Sequence, residues 1–327
     1  MDIKKSKSNI VLIGAGYWGM NHVRTLNELN ALGGVVDKDI SVLNELKSNY
    51  SNCSIFSSIE NSFESDFDGY IVSTPPVTHY EIAKKIILNR IPVLVEKPLT
   101  LDYASSKKLC QLAVKMNVNL MVGHVLLFHP AFQKMKSLIE NGKIGEIQYI
   151  YSNRLNLGKF RTNENVFWSF APHDIALLNY FFNQKPISIN TSGVDILQEG
   201  IHDSSITSFS YESKKMGHIF VSWLHPFKEH RFVIIGSNGM LHFEDSHLKK
   251  PLLYYDNKAE FVDSIPTPIA GAVSEVDYDD EKPLTNELKY FISKLDGQKI
   301  EISNAASGLE VIRILEEAST ILIPKIK

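Results

Sequence analysis

Short runs of consecutive apolar residues dominate the first third of the chain. Ile10-Val11-Leu12-Ile13, Gly34-Val35-Val36, Tyr70-Ile71-Val72, Val93-Leu94-Val95 and Leu120-Met121-Val122 carry almost no polar side chains and are bounded by turn residues. Strands of a parallel sheet read this way, because helices bury both of their faces. Between the runs, apolar residues recur three and four positions apart, as at Met20, Val23 and Leu26, at Tyr80, Ala83, Ile86 and Ile87, and at Ala104, Leu109, Leu112 and Val114. That is the period of an amphipathic helix. Strand and helix in strict turn predict a doubly wound α/β domain over residues 1–124.

Beyond residue 125 the rhythm changes. A helix is expected from Pro130 to Asn141, with its proline in the first turn, followed by the Gly142 and Gly145 turn. Segments of period two then follow, including Ile147 to Ser152 and Ile206 to Tyr211, with further strands at His218 to Trp223 and Phe232 to Ile235. Alternation of this kind predicts a large mixed, mostly antiparallel open sheet with one face packed on helices. One apolar helix is expected over Asn165 to Phe182 and an amphipathic one over Asn304 to Leu322, while Ser264 to Gly271 reads as a mobile loop. Residues 125–327 therefore form a second α/β domain.

Charge narrows the partners. Lys and Arg number 34 against 37 Asp and Glu, a formal net charge of −3, with no block of like charges. A nucleic-acid binder needs a basic stripe, so that class is excluded, whereas a phosphate held at one helix N-terminus is not. The two cysteines, Cys53 and Cys110, sit in no metal-binding spacing. They fit a reducing, cytoplasmic setting and no metal site. No run of 18 apolar residues predicts a membrane span, and the lysine-rich start from Met1 to Lys7 reads as a solvated lead into the first strand.

Candidate chemistry begins at Gly14-Ala15-Gly16-Tyr17-Trp18-Gly19, a G-x-G-x-x-G turn between a predicted strand and a predicted helix. Gly14 makes the tight turn, Gly16 admits a pyrophosphate, Gly19 lets the helix pack on the sheet, and Asp37 at the end of the next strand meets the ribose hydroxyls. A carboxylate there disfavours a 2′-phosphate, so NAD is expected, although Lys38 beside it leaves NADP open. Ser73-Thr74-Pro75-Pro76 follows a later strand and should line the nicotinamide half of the cofactor, with His79 starting the next helix. Glu96-Lys97-Pro98 closes the strand after that, where a lysine can hydrogen-bond a substrate hydroxyl.

These motifs, in this order, resemble the successive signatures of the glucose–fructose oxidoreductase, inositol dehydrogenase and MocA family. The likeness continues through Gly142-Lys143-Ile144-Gly145, Ser222 to Lys228 and Gly236-Ser237-Asn238-Gly239. It implies a Rossmann domain, an α/β domain whose open sheet serves substrate binding and homo-oligomerisation, and reversible hydride transfer between NAD(P) and a sugar or polyol hydroxyl. Cofactor contacts are then expected from Gly14, Gly16, Tyr17, Trp18, Gly19, Asp37, Lys38, Ser73, Thr74, Pro75, His79, Glu96 and Lys97.

By the same resemblance Lys97 is the catalytic lysine, and His173 is the histidine of a D-x-x-x-H-x-x-D motif. Ser169 and Ala176 replace both aspartates of that motif here, leaving Asp174 as a partner for His173. Arg154, Trp168 and Asp174 join Lys97 and His173 as substrate contacts. The segments Tyr151 to Gly158 and Trp168 to Asp174 are similar to the branch that oxidises nucleotide-linked amino sugars, such as the 3-hydroxyl of UDP-N-acetylglucosamine. A polyol dehydrogenase, a deoxysugar-nucleotide ketoreductase and a cofactor-binding regulator without turnover are the alternatives.

Overall fold

The computed structural model describes residues 8–322, so the lysine-rich start lies outside the described residues. The chain divides into two units. The first comprises the residues up to Phe128 together with Lys282–Ile312. It contains β1 (Ile10–Ile13), α1 (Gly19–Glu28), β2 (Leu32–Val36), α2 (Ile40–Asn49), β3 (Ser54–Phe56), α3 (Ile59–Ser62), β4 (Gly69–Val72), α4 (His79–Leu88), β5 (Val93–Glu96), α5 (Tyr103–Met116) and β6 (Leu120–Gly123). Its sheet runs β3-β2-β1-β4-β5-β6 with every neighbouring pair parallel. Strands β1, β4, β5 and β6 are buried at every position, as expected for strands covered on both faces. Strand order reverses between β1 and β4, which opens a crevice beyond their carboxyl ends.

The second unit comprises His129–Glu281 and the chain from Arg313. It is built from α6 (Pro130–Glu140), β7 (Ile147–Leu157), α7 (Val166–Phe170), α8 (Pro172–Phe182), β8 (Ser188–Val194), β9 (Ser204–Ser210), β10 (Met216–Ser222), β11 (Leu224–Gly236), β12 (Met240–Glu244), β13 (Leu252–Tyr255), β14 (Lys258–Val262), β15 (Ile265–Ile269) and β16 (Val273–Glu275). Its eight-stranded sheet runs β16-β13-β12-β11-β7-β10-β9-β8 and is antiparallel except where β7 meets β10. Aromatic side chains fill its core. Phe132 of α6 packs against Phe232 and Phe243, and Phe181 of α8 against Phe232.

Three elements differ from the reading of the sequence. The expected helix from Asn165 to Phe182 is two helices, because Pro172 starts a new one at its first position and lacks the N–H that would continue the old one. The expected loop at Ser264 to Gly271 contains β15, paired with β14 in a two-stranded ribbon. Its prolines, Pro266 and Pro268, are tolerated where no third strand needs their N–H groups. Residues 282–312 join the first unit rather than the second. Within that segment α9 (Pro283–Ser293) sets Phe291 beside Gly69, where a Cβ would come within 3.3 Å of its ring. Ser303 exchanges hydrogen bonds with the backbone of Val122 at the edge of β6, donating from its hydroxyl (2.6 Å) and accepting at its carbonyl (2.8 Å). The last helix, α10, spans Ala305–Leu322.

Candidate functional site

Local backbone geometry shapes the crevice of the first unit. Gly14 has φ +90°, and a Cβ there would lie 2.8 Å from the Ser73 carbonyl oxygen and from the Thr74 methyl group. At Gly19 a Cβ would lie 2.0 Å from the Gly14 backbone oxygen, so the helix meets the turn only because residue 19 is glycine. Gly16 is the opposite case, because a Cβ there would meet nothing within 4 Å. Gly16 faces open space that a ligand can approach to backbone distance.

That space belongs to a cavity of about 720 Å³ lined by Gly14, Gly16, Asp37, Lys38, Ser73, Thr74 and Pro75, among others. The expected cofactor residues of three separate strand ends are therefore brought together. Asp37 is held in place: its Oδ2 accepts the Ala15 N–H (2.7 Å) and its Oδ1 the Asp39 N–H (2.9 Å). Its anionic oxygens remain able to accept ribose hydroxyls. At the N-terminus of α1 no side chain caps the helix and no acidic residue occupies the first turn. The positive helix end is left for an anion. Glycine turn, fixed carboxylate and uncapped helix together fit a dinucleotide.

The cavity also has walls that sequence reasoning missed. Ser57, Ser58, Ile59 and Glu60 border it after β3, and Glu81, Ile82 and Lys85 of α4 close the other side, with Lys85 donating to Glu60 at 2.6 Å. β3 is only three residues long, one of them a serine and none fully buried, so no long apolar run announces it. The one local signal is Ser58, which caps α3 by accepting the Asn61 N–H.

Of the other expected cofactor residues, Tyr17 is 95% exposed, whereas Trp18, Glu96 and His79 are engaged inside the protein. Trp18 donates its indole N–H to Glu96 Oε1 (2.6 Å), and His22 Nε2 lies 2.8 Å from the same oxygen. The other oxygen, Oε2, accepts the Lys97 N–H at 3.2 Å. Burial alone would raise the Glu96 pKa, but the hydrogen bond and charge of His22, with Trp18 and Lys97, hold it below the usual carboxylate value. Gly123 on β6 makes room, since a Cβ there would lie 2.8 Å from Glu96 Oε2. His79 is buried, its ring set between the carbonyls of Thr74 and Pro98.

Glu287 of α9 is fully buried, and neither of its carboxyl oxygens has a hydrogen-bond partner. Burial, and then the charge of Glu96, drives its pKa well above the ordinary value.

In the second unit the residues expected at substrate separate into two groups. Asp174 is fully buried and turns toward β7, where its Oδ2 accepts Arg154 Nε–H (2.7 Å) and its Oδ1 accepts Arg154 Nη2–H (3.0 Å) and the Ser152 hydroxyl (2.7 Å). It is thus the partner of Arg154 rather than of His173. Consecutive helical residues point about 100° apart, so the two side chains cannot serve one direction. Burial would lower the Arg154 pKa, but Asp174 raises it above its usual value. His230 nearby is pushed down to about 4 by burial and by the charges of Arg154 and Lys228.

His173 stands in the first turn of α8, half-buried. Trp168 donates its indole N–H to Ser319 Oγ (2.8 Å), and Trp223 is fully buried in the core. Arg161 pairs with Glu164 at 3.5 Å. Among the described residues no group of three or more His, Cys, Asp or Glu is placed to hold a metal, and no helix is long and apolar enough to cross a membrane.

Comparison with known proteins extends these observations. The chain is 26% identical over 184 residues to a UDP-N-acetylglucosamine 3-dehydrogenase of Acidithiobacillus ferrooxidans, an alignment covering 56% of this chain and 57% of that protein. It is 23% identical over 192 residues to an inositol 2-dehydrogenase of Corynebacterium glutamicum, again covering 56% of this chain and 57% of the relative. The matched region thus spans little more than half the length of either relative. A solved structure of the Acidithiobacillus ferrooxidans UDP-N-acetylglucosamine 3-dehydrogenase shares the fold, with TM-score 0.84 at 21% identity over 96% of this chain and 97% of that one. Residues 8–124 match the oxidoreductase family with an NAD-binding Rossmann fold, and residues 132–242 match the C-terminal domain of the same family. The chain belongs to the GFO/IDH/MocA family of oxidoreductases, and its residues 8–124 are that family's NAD-binding Rossmann fold.

Proposed function

We propose that the protein is an NAD-dependent dehydrogenase acting on a secondary hydroxyl of a sugar, with a nucleotide-linked sugar such as UDP-N-acetylglucosamine as the first candidate. The observation that carries this reading is the glycine turn, where Gly16 opens onto a cavity walled by the fixed Asp37 carboxylate. When bound, the nicotinamide supplies the acceptor or donor of the hydride. Asp37 would hold the ribose hydroxyls, and the uncapped start of α1 would face the pyrophosphate. Lys97 follows β5 at the same end of the sheet and is assigned the reacting hydroxyl. Either Lys97 or His173 takes the hydroxyl proton. A lysine does so only if its pKa falls toward the working pH, whereas an unperturbed imidazole already titrates there.

The substrate class rests on the dehydrogenase relative above and on the sequence from Trp168 to Asp174. Polyol dehydrogenation is supported by the inositol 2-dehydrogenase match. Replacement of both motif aspartates by Ser169 and Ala176 favours, as a second reading, a cofactor-binding regulator without turnover. We further assign self-association to the half-exposed face of the eight-stranded sheet, where Tyr151 stacks on His218. A reducing cytoplasmic setting suits Cys53 and Cys110, both free, buried and pushed up to about 11 by burial.

The test is to mix the protein with NAD and a panel of UDP-sugars and polyols and follow absorbance of reduced nicotinamide. Turnover confined to UDP-sugars supports the reading. NAD binding without turnover across the panel supports the regulator instead.

A further inference from the structure

The backbone that carries Lys97 is tied down on both sides by buried side chains. On one side Glu96 is fixed by Trp18 and His22 of the α1 region, as described above. On the other, His79 at the start of α4 is 1% exposed. Its Nδ1 lies 2.8 Å from the Pro98 carbonyl oxygen and its Nε2 lies 2.9 Å from that of Thr74. A single ring thus bridges the loop after β4 and the turn after β5.

Both partners are acceptors, and a neutral imidazole has one N–H to give. Burial draws the His79 pKa below its ordinary value, against the opposing pull of the two carbonyls and of the Glu96 charge. The ring is therefore neutral near pH 7 and donates once. Its contact with Pro98 is buried, whereas that with Thr74 is only partly so. A carbonyl without access to water loses more when left without a donor, which selects the tautomer with its proton on Nδ1, directed at Pro98.

We propose that His79 is a positioning residue for Lys97: by donating to the Pro98 carbonyl it fixes the turn that carries the lysine. This rests on the reading of Lys97 as the residue that handles the reacting hydroxyl. His79 itself is assigned neither substrate nor cofactor. Displacing a reacting group by 1 Å costs up to about 100-fold in rate, so the brace acts on turnover more than on NAD affinity.

The experiment compares wild type, H79N, H79Q and K97A. Turnover is followed on a UDP-sugar that the wild type oxidises, NAD binding by calorimetry, and backbone amide exchange at Lys97 and Leu99 by mass spectrometry. Asparagine places its amide donor near the position of Nδ1 and can reach Pro98, whereas glutamine places it near Nε2, toward Thr74. H79Q is expected to lower kcat by about 10- to 100-fold, to speed exchange at residues 97 and 99, and to leave the NAD Kd within about threefold of wild type. H79N is expected to recover most of that kcat and of the protection. Equal kcat in H79Q and H79N, a loss confined to NAD affinity, or unchanged exchange in both overturns the brace. Wild-type turnover by K97A overturns instead the reading of Lys97, and exchange alone then decides whether His79 holds the turn.

Discussion

Removing Asp174 should unfold the second unit far more readily than loss of one surface carboxylate would. The side chains of Asp174 and Arg154 are 1% and 16% exposed, and they meet through two N–H···O bonds at 2.7 and 3.0 Å, with Ser152 adding a third donor at 2.7 Å. Each hydrogen bond to a charged group is worth about 1.5–3 kcal/mol. Those values do not add, because the pair has already lost its hydration. In Asp174→Ala the guanidinium stays buried without its counter-ion, and breaking a buried pair in this way costs about 3–5 kcal/mol. The double variant Arg154→Met, Asp174→Leu removes both charges and should lie within about 2 kcal/mol of wild type. Urea unfolding followed by tryptophan fluorescence suits the assay, because Trp168 and Trp223 both lie in this unit and Trp223 is fully buried. The midpoint should fall with an unchanged slope. A cost below about 1 kcal/mol for Asp174→Ala, or a double variant less stable than either single one, would refute the reasoning.

The two glycines of the turn should separate folding from binding. Gly16→Ala is expected to leave the melting temperature within about 2 °C of wild type while weakening NAD at least tenfold by calorimetry, since its Cβ meets no protein atom. Gly19→Ala forces a Cβ to 2.0 Å from the Gly14 oxygen and should destabilise the first unit by about 2 kcal/mol or more in thermal melts. Asp37→Ala removes a charged acceptor from two backbone N–H groups and from the assigned ribose, so the NAD Kd should rise roughly 10- to 100-fold; an unchanged Kd removes Asp37 from the site. The raised pKa of Glu287 makes its contribution complete below the unfolded value near 4.3 and progressively lost as pH rises toward the folded value, with a slope of about 1.4 kcal/mol per pH unit. Glu287→Gln should therefore gain in melting temperature over wild type between pH 5 and 8, and a constant difference across that range excludes an uncharged Glu287.

What could be read from the chain follows from how local each feature is. The five apolar runs, the glycine turn and Asp37 are each set by a few neighbouring residues, and the structure places the last two on one cavity. The break within the Asn165 to Phe182 segment is invisible to periodicity, because apolar residues continue straight through Pro172 to the correct end at Phe182. β15 was hidden by the prolines that normally exclude a strand. Adjacency in sequence pairs Asp174 with His173, whereas its partners Ser152 and Arg154 lie 22 and 20 residues away. No spacing rule reports a contact between a helix and a strand. Burial of Glu287 and the return of α9 to the first unit likewise depend on tertiary packing alone. Around Lys97, the residues Trp18, Thr74, His79, Glu96 and Pro98 are visible as motif members, whereas His22 and the hydrogen bonds that join them are not.

The return of residues 282–312 to the first unit gives synthesis a timetable. Translation delivers all six strands of the parallel sheet by Gly123, but Ser303 and Asn304, which bond along the outer edge of β6, emerge only after the whole of residues 129–281. At typical rates the interval from Phe128 to Ile312 lasts roughly 10–40 s. Throughout it the nascent sheet presents an unpaired parallel edge, a template for adventitious strand pairing. The period of greatest aggregation hazard for this protein therefore falls on the ribosome, while the second unit is still being made.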